Sequence, residues 1–410
     1  MDFWHSSQLV QWFHDRGYTP YTRIYSDGYP SFCAVPSLPF NEVGTGSYPY
    51  AHYNGTKVGD MTPLRAKDRT GKVMFAQDSQ LRHVAIKLVL DQSDEYRILR
   101  LLYEKGTEIA RENCVIPVLD LLPFGEFWFA VMPRWSTKVP SPEIHTMKEI
   151  LPYEAPNPNN EPHLHYQALA FLHSHNIVHR DIKMENMLVD HFSDDASTDF
   201  HPARAKLREQ GKALYALMDF NLSTMVPPDI NRKEYRRDYR DSFDGTWPHP
   251  YDTAAGEFEY NPFAFDVACL GHYSLHLPML APLLDRMTTW EIDKRFTAAE
   301  ALQFFELMRS ELTEEQLSIK EYESEQFVPY ELYDRWRGLP EDFTQKWALY
   351  RQPPVPLVMR ILRHIYFSHY LPNHVIPSIR RFFSRLTCIP SSVWARFTDL
   401  LSFRSGVLRI

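Results

Sequence analysis

The 410-residue chain is 44% hydrophobic and 23% charged, with a formal net charge of −8. That is enough for one large domain or two modest ones, and the acidic balance excludes wholesale nucleic-acid binding. The four cysteines, Cys33, Cys114, Cys269 and Cys388, have no CxxC spacing, so neither a disulfide framework nor a zinc site is expected and a reducing, intracellular compartment fits best.

The N-terminal stretch MDFWHSSQLVQWFHDRG lacks the basic start and unbroken apolar run of a signal peptide. No uninterrupted apolar run approaches the length of a membrane span, so a cytoplasmic chain, peripheral to membranes at most, is expected. Phe3, Trp4, Trp12 and Phe13 can pack a short helix onto a core, and GYPSFCAVPSLPFNEVGTGSYPY reads as loop. Residues 72–90 predict two strands joined by a polar turn. SDEYRILRLLYEKG predicts a helix with Ser93 as N-cap and Ile98, Leu101 and Leu102 on one face. FGEFWFAVMPRW reads as two more strands. Beyond it the signals turn helical: EPHLHYQALAFLHSH, AFDVACLGHYSLHL and TAAEALQFFELM each carry a helical apolar period. Strands first and helices second is an α+β pattern of two lobes.

From residue 351 onward there are nine arginines (351, 360, 363, 380, 381, 385, 396, 404 and 409), no lysine and one acid, Asp399. Ile379, Phe382, Phe383 and Leu386 form a helical stripe with Arg380, Arg381 and Arg385 between them. Such a basic amphipathic helix can dock onto the acidic body of the protein or lie peripherally on an anionic membrane.

The chemistry-bearing residues recur in one order. VAIK is expected to end a strand at Lys87, Glu95 lies in the following helix, HRDIKMEN spans residues 179–186, and YALMDFNLS carries Asp219. Phosphoryl transfer needs charge arranged around a triphosphate, metal ligands, and a carboxylate to orient the attacking hydroxyl. This ordered set resembles the eukaryotic protein kinase family over about residues 60–310, and the HRDxKxxN octet is its most specific part.

The resemblance implies a two-lobed kinase-like fold, with a small β-rich N-lobe at about 56–132 and a larger helical C-lobe at about 136–310. Residues 1–55 would be an N-terminal extension and 311–410 a C-terminal extension with basic amphipathic helices. It implies ATP and Mg2+ as cofactors. Lys87 would pair with the α- and β-phosphates, Glu95 would hold Lys87, and Asp181 would orient the substrate hydroxyl. Lys183 would neutralise γ-phosphate charge, Asn186 and Asp219 would hold magnesium, and Met132 would face the adenine pocket or serve the core. His179 would support the loop and Phe220 would pack against the Glu95 helix. Lys183 two residues after Asp181, and Gly245-Thr246, resemble serine/threonine kinases, with a protein hydroxyl as acceptor. Arg180 resembles the arginine that meets an activation-segment phosphate, or makes an ordinary loop salt bridge. Asp266 and Gly271 match a buried central helix.

Departures bear on activity. No GxGxxG precedes VAIK, where Gly55 and Gly59 stand isolated. Asn221 replaces the DFG glycine, and because Asn tolerates left-handed backbone angles, the turn is expected to survive. YDT stands in place of Ala-Pro-Glu, so Arg295 is expected to lack its usual partner. The 266–295 segment is short for the family, and DHFSDDASTDFHPARAKLREQGKA reads as a surface insertion. This mixture resembles the divergent kinase-like proteins expanded in mushroom-forming fungi. A serine/threonine protein kinase is the first reading and a pseudokinase scaffold with little or no turnover the second. A small-molecule phosphotransferase is the third, although such enzymes normally lack the Arg and Lys found at 180 and 183.

Overall fold

The computed structural model describes residues 3–26, 29–39, 46–53, 66–67, 70–137, 164–192, 202–210, 212–245, 250–253, 257–273, 278–317, 334–357 and 360. The chain is of the α+β class and divides into two compact units, one of Met1–Pro227 with Leu312–Lys320, the other of Pro228–Glu311 with Glu321–Ile410.

In the first unit, helix α1 (Ser7–His14) starts at Ser6, whose side chain accepts the Leu9 amide as an N-cap. Strand β1 (Thr19–Pro20) follows, then a hairpin of β2 (Thr22–Ser26) and β3 (Tyr29–Val35), the short strands β4 (His52–Tyr53) and β5 (Ala66–Lys67), and β6 (Val73–Gln77) and β7 (His83–Leu90). Within the stretch expected as loop, Tyr29–Val35 is therefore a strand, paired with β2 and β5. Pro30 lies at its start, where a missing N–H costs least, and Tyr, Phe, Cys and Val carry the β-propensity. The β6–β7 turn is held by Asp78, whose carboxylate accepts from the backbone amides of Gln80 and Arg82, each at 2.9 Å.

Helix α2 (Asp94–Lys105) is capped by Ser93, which accepts from the Tyr96 amide at 3.1 Å. It buries Ile98, Leu99 and Leu102. Then come α3 (Thr107–Glu112), β8 (Asp120–Phe124) and β9 (Phe127–Pro133). The main sheet runs β1-β6-β7-β9-β8, antiparallel throughout. Alternation along β7 sends Val84 and Ile86 to one face and Lys87 to the other. Trp4, Leu9 and Phe13 close over the first face, with Phe13 and Phe129 ring centroids 4.8 Å apart. The expected packing of the N-terminal aromatics is thus present, and residues 3–20 are built into the sheet through β1.

The unit continues with α4 (Leu164–Ser174), β10 (Ile177–Val178), β11 (Met187–Val189), β12 (His191–Phe192), α5 (Pro202–Glu209), β13 (Tyr215–Leu217) and β14 (Thr224–Met225). The expected surface insertion is only partly that. Among its described residues Asp190, His191 and Arg204 are buried, and β12 pairs in parallel with β4. Charged sequence reads as solvated, but here these polar side chains are turned inward, with Arg204 Nε donating to His191 Nδ1 at 3.5 Å.

The second unit contains β15 (Arg237–Asp238), β16 (Glu259–Tyr260), α6 (Pro262–Tyr273), α7 (Ala281–Thr288), α8 (Ala298–Glu311) and α9 (Glu341–Trp347). A Cβ on Gly271 would lie 2.7 Å from Thr288 Cγ2 and 2.9 Å from Met287 Cβ, so α6 and α7 approach as closely as they do only with glycine there. Asp266 is fully buried on α6. Residues 334–352 pack into this unit: Trp336 Nε1 and the Gln352 amide donate to the buried Asp285 carboxylate at 2.8 and 2.9 Å, and Arg335 lies beside it.

Arg295 does not lack a partner. Asp252, in the YDT stretch, accepts from its Nη1 and Nη2 at 2.6 and 2.7 Å, with both side chains almost wholly buried. The shorter carboxylate does the pairing expected of a glutamate. A fork-on-carboxylate pair of this kind is costly to break from one side. Asp252→Ala should therefore destabilise the second unit by about 3–5 kcal/mol, read as a lower denaturant midpoint, while Asp252→Ala with Arg295→Met should recover part of the loss. In the first unit, Phe13→Ala should cost about 3–5 kcal/mol by opening a cavity against Phe129.

Candidate functional site

Lys87 stands within β7 rather than at its end, between Val73 of β6 and Ala130 of β9. Its ammonium lies 2.5 Å from Glu95 Oε1 and 2.6 Å from Asp219 Oδ1. Glu95 reaches it because α2 begins almost directly after β7. In the first turn its carboxylate also meets the positive end of the helix dipole. Burial disfavours the Lys87 ammonium, but Glu95 and Asp219 outweigh it and the lysine is held above its ordinary range. Burial likewise pushes the Asp219 carboxyl up, and Lys87 overcomes it, leaving the group below the usual carboxylate range and ionised at neutral pH.

Asp219 arrives from the other direction. Strands β11 and β13 pair antiparallel, Met187 opposite Leu217, so the register brings Asn186 against Met218, whose amide donates to the Asn186 carbonyl at 2.9 Å. Asp219 is the next residue and takes a left-handed backbone, φ 66°. Arg180 is left-handed too, φ 65°, and its Nη1 donates to the Leu222 carbonyl at 3.0 Å. Non-glycine residues in this region store strain, and they cluster at sites that need a fixed geometry. Asn221 is not among the positive-φ residues; it lies inside a 3-10 turn over Phe220–Leu222. The left-handed step expected of Asn221 is taken by Asp219 instead, so position 221 needs no glycine-like freedom.

The HRDIKMEN segment forms its own network. His179 is fully buried. Its Nδ1 accepts the Asp181 amide at 3.2 Å, which leaves Nε2–H to donate to the Met218 carbonyl at 3.0 Å. Phe220 packs edge-on to its ring and is buried. Asp181 Oδ2 accepts from Lys183 Nζ at 2.7 Å and from Asn186 Nδ2 at 2.8 Å, and the same Nδ2 donates to the Asp181 carbonyl at 2.8 Å. Asp181 Oδ1 is buried with no hydrogen-bond partner among the described residues. A buried carboxylate oxygen left in this way keeps its acceptor capacity unused.

Asn186 spends its amide nitrogen on Asp181, which leaves Oδ1 as the atom that could meet a metal ion. Among the described residues no three His, Cys, Asp or Glu side chains converge. The hard oxygen donors at this end of the β11–β13 pair are the Asn186 amide and the Asp219 carboxylate, a set that fits magnesium together with phosphate oxygens and water. Met132 lies on β9 opposite Ala85, half-buried. Gly55, Gly59, Thr246 and the 379–386 stripe fall outside the described residues.

One neighbour of the site is not visible in the sequence. Asp190 follows β11, its amide and Oδ1 tied to Leu214 at 2.9 and 2.7 Å, and it is buried beside His52, Nε2 to Oδ2 4.0 Å. Burial pushes the Asp190 carboxyl up to about 8, and burial, helped by Lys212, holds His52 below its ordinary range. At pH 7 this contact therefore joins two neutral groups rather than an ion pair.

No family model matches this chain, and no curated protein sequence matches it. Among the described residues no helix is long and apolar enough to cross a membrane.

Asp190 has a stability consequence of definite sign. Its folded pKa, about 8, lies above its ordinary 3.8. Between these values the unfolded chain releases a proton that the folded one keeps, so this contribution is complete below about pH 4 and is lost as pH rises toward 8. Asp190→Asn keeps an oxygen acceptor for the Leu214 amide and does not ionise. Melting temperatures across pH 4–8 should show wild type falling progressively relative to Asp190→Asn, with the largest gap at pH 8.

Proposed function

We propose that this chain is an ATP- and magnesium-dependent serine/threonine protein kinase built on a two-lobed kinase-like fold. The observation that carries the reading is the Lys87 ammonium joining Glu95 of α2 to Asp219, in the same unit as the Asp181–Lys183–Asn186 network. An ordinary surface lysine has no reason to be buried between two carboxylates drawn from different elements.

In this reading the Asp181 Oδ1 atom accepts the proton-bearing end of a serine or threonine hydroxyl and aims its oxygen for in-line attack. Lys183, already within reach of Asp181, supplies positive charge where the transferred phosphoryl group gains negative charge. Lys87 trades one of its carboxylate contacts for phosphate oxygens, while Glu95 keeps it in place. Asn186 Oδ1 and the Asp219 carboxylate would hold magnesium, which when bound neutralises phosphate charge. Met132, on the strand leading to the linker, faces the adenine.

A second reading, a nucleotide-binding scaffold with little turnover, draws on the isolated Gly55 and Gly59, which replace a glycine-rich phosphate loop.

Purified protein with Mg-ATP and a generic basic protein substrate tests the proposal. Transfer should be measurable, be abolished by Lys87→Met with the fold retained by circular dichroism, and fall by about 10²–10⁴ in Asp181→Asn. Calorimetry should show ATP binding strengthened by magnesium in wild type and not in Asp219→Ala. Equal affinity with magnesium and with EDTA, together with no transfer, would overturn the kinase reading in favour of the scaffold.

A further inference from the structure

Residues 46–53, GSYPYAHY, meet four separate parts of the first unit within eight residues. The segment folds on itself through Gly46 N–H to the Ala51 carbonyl, 3.1 Å, and Tyr50 N–H to the Ser47 carbonyl, 2.8 Å. This turn directs each aromatic to a different wall. The Tyr48 hydroxyl donates to the Thr107 carbonyl at the start of α3, 2.5 Å, with the Arg111 guanidinium 5.1 Å from its ring. The Pro49 carbonyl accepts from Trp135 Nε1, just past β9, at 2.8 Å. The Tyr50 hydroxyl reaches Asp78 Oδ2 in the β6–β7 turn, 3.3 Å, and Arg82 stacks 4.0 Å over its ring. The His52 amide donates to the Asp190 carbonyl at 2.6 Å, and β4 joins β12 as a parallel strand.

These contacts are built rather than incidental. Gly46 has φ 77°, and a Cβ there would run into the His52 ring, so two independent constraints demand glycine. Ala51 is buried. Burial first, and Asp78 second, push the Tyr50 hydroxyl up to about 12, so it stays a protonated donor at any ordinary pH.

The four walls are the supports of the candidate site. The β6–β7 turn feeds the strand that carries Lys87. Helix α3 follows α2, which carries Glu95. Trp135 follows the strand of Met132. Asp190 closes β11, which begins one residue after Asn186. We propose that residues 46–53 act as a strap that holds the Lys87–Glu95 half of the site in register with the Asp181–Asn186 half, so that Tyr48, Tyr50 and His52 are positioning residues. Its effect on nucleotide binding rests on the kinase reading, whereas the mechanical coupling does not.

Hydrogen exchange by mass spectrometry on the full chain tests the coupling, comparing wild type with the Tyr48→Phe/Tyr50→Phe double variant, which removes two hydroxyl contacts without changing shape. Amides in the 78–84, 107–114 and 187–192 stretches should exchange together, roughly thirtyfold faster, about fivefold for each of the two net hydrogen bonds removed. Amides in 298–311 of the other unit should not change. Gly46→Ala should give a larger effect in the same three stretches; if it does not fold, the double variant alone decides. Acceleration confined to 46–53, or spread equally to 298–311, overturns the strap. Mg-ATP affinity, measured alongside, should fall in step with the exchange. If wild type binds no nucleotide, the kinase reading fails and the exchange result still judges the strap. If exchange changes and affinity does not, the positioning role is overturned.

Discussion

A buried ammonium is the constraint on which the first unit turns. Lys87 sits on the face of β7 away from the aromatic layer of α1, where water cannot solvate it fully. Taking that charge out of water costs several kcal/mol unless anions meet it. Two do, Glu95 and Asp219. One comes from a helix that starts immediately after the strand, the other from a strand pair more than a hundred residues later. The helix N-cap at Ser93 and the left-handed backbone of Asp219 can both be understood as what it takes to bring those carboxylates to one nitrogen.

The same logic runs through the neighbouring network. Asn186 is fixed by its two donations to Asp181, and the β11–β13 register then decides that Asp219 lies beside it. His179, with one ring nitrogen accepting and the other donating, ties the Asp181 amide to the Met218 carbonyl. A ring turned over, or protonated on both nitrogens, would lose one of these bonds. The result is a site whose carboxylates are held by side-chain donors, Lys87 on Asp219 and Lys183 with Asn186 on Asp181, with one carboxylate oxygen kept without a partner among the described residues.

Charge pairs also replace parts that the resemblance to kinases led one to expect. Asp252 serves Arg295 in place of a glutamate. Asp285 gathers Arg335, Trp336 and Gln352, drawing residues 334–352 onto α7, and the rings of Phe304, Trp347 and Tyr350 close the contact. A segment that is short between Asp266 and Arg295 is thus packed by chain from beyond residue 330. Each of these buried carboxylates has its cation or its N–H donors, so each can be kept at tolerable cost.

Much of this was legible in the sequence where the information is local. Period-two and period-3.6 apolar patterns marked β6, β7, α2, α4, α6 and α8, Ser93 announced its own cap, and HRDIKMEN showed its donors and acceptors within eight residues. The ordered spacing of Lys87, Glu95, Asp181, Asn186 and Asp219 singled out the residues that the fold gathers. What the chain's order could not reveal were the pairings that depend on packing. Asp252 and Arg295 are 43 residues apart; the resemblance set YDT opposite Arg295, but only the packing brings the shorter Asp252 side chain within reach of it. Asp190 and Arg204 lie in a polar run that reads as solvated until tertiary contacts bury it, and residues 28–35 read as loop because Gly and Pro punctuate them. The conformation at Asn221 and the reach of residues 46–53 belong to the same class. Local sequence sets which backbone states and which chemistry are available; only the closing of distant surfaces decides which charges lose their water, and so which partners they must have.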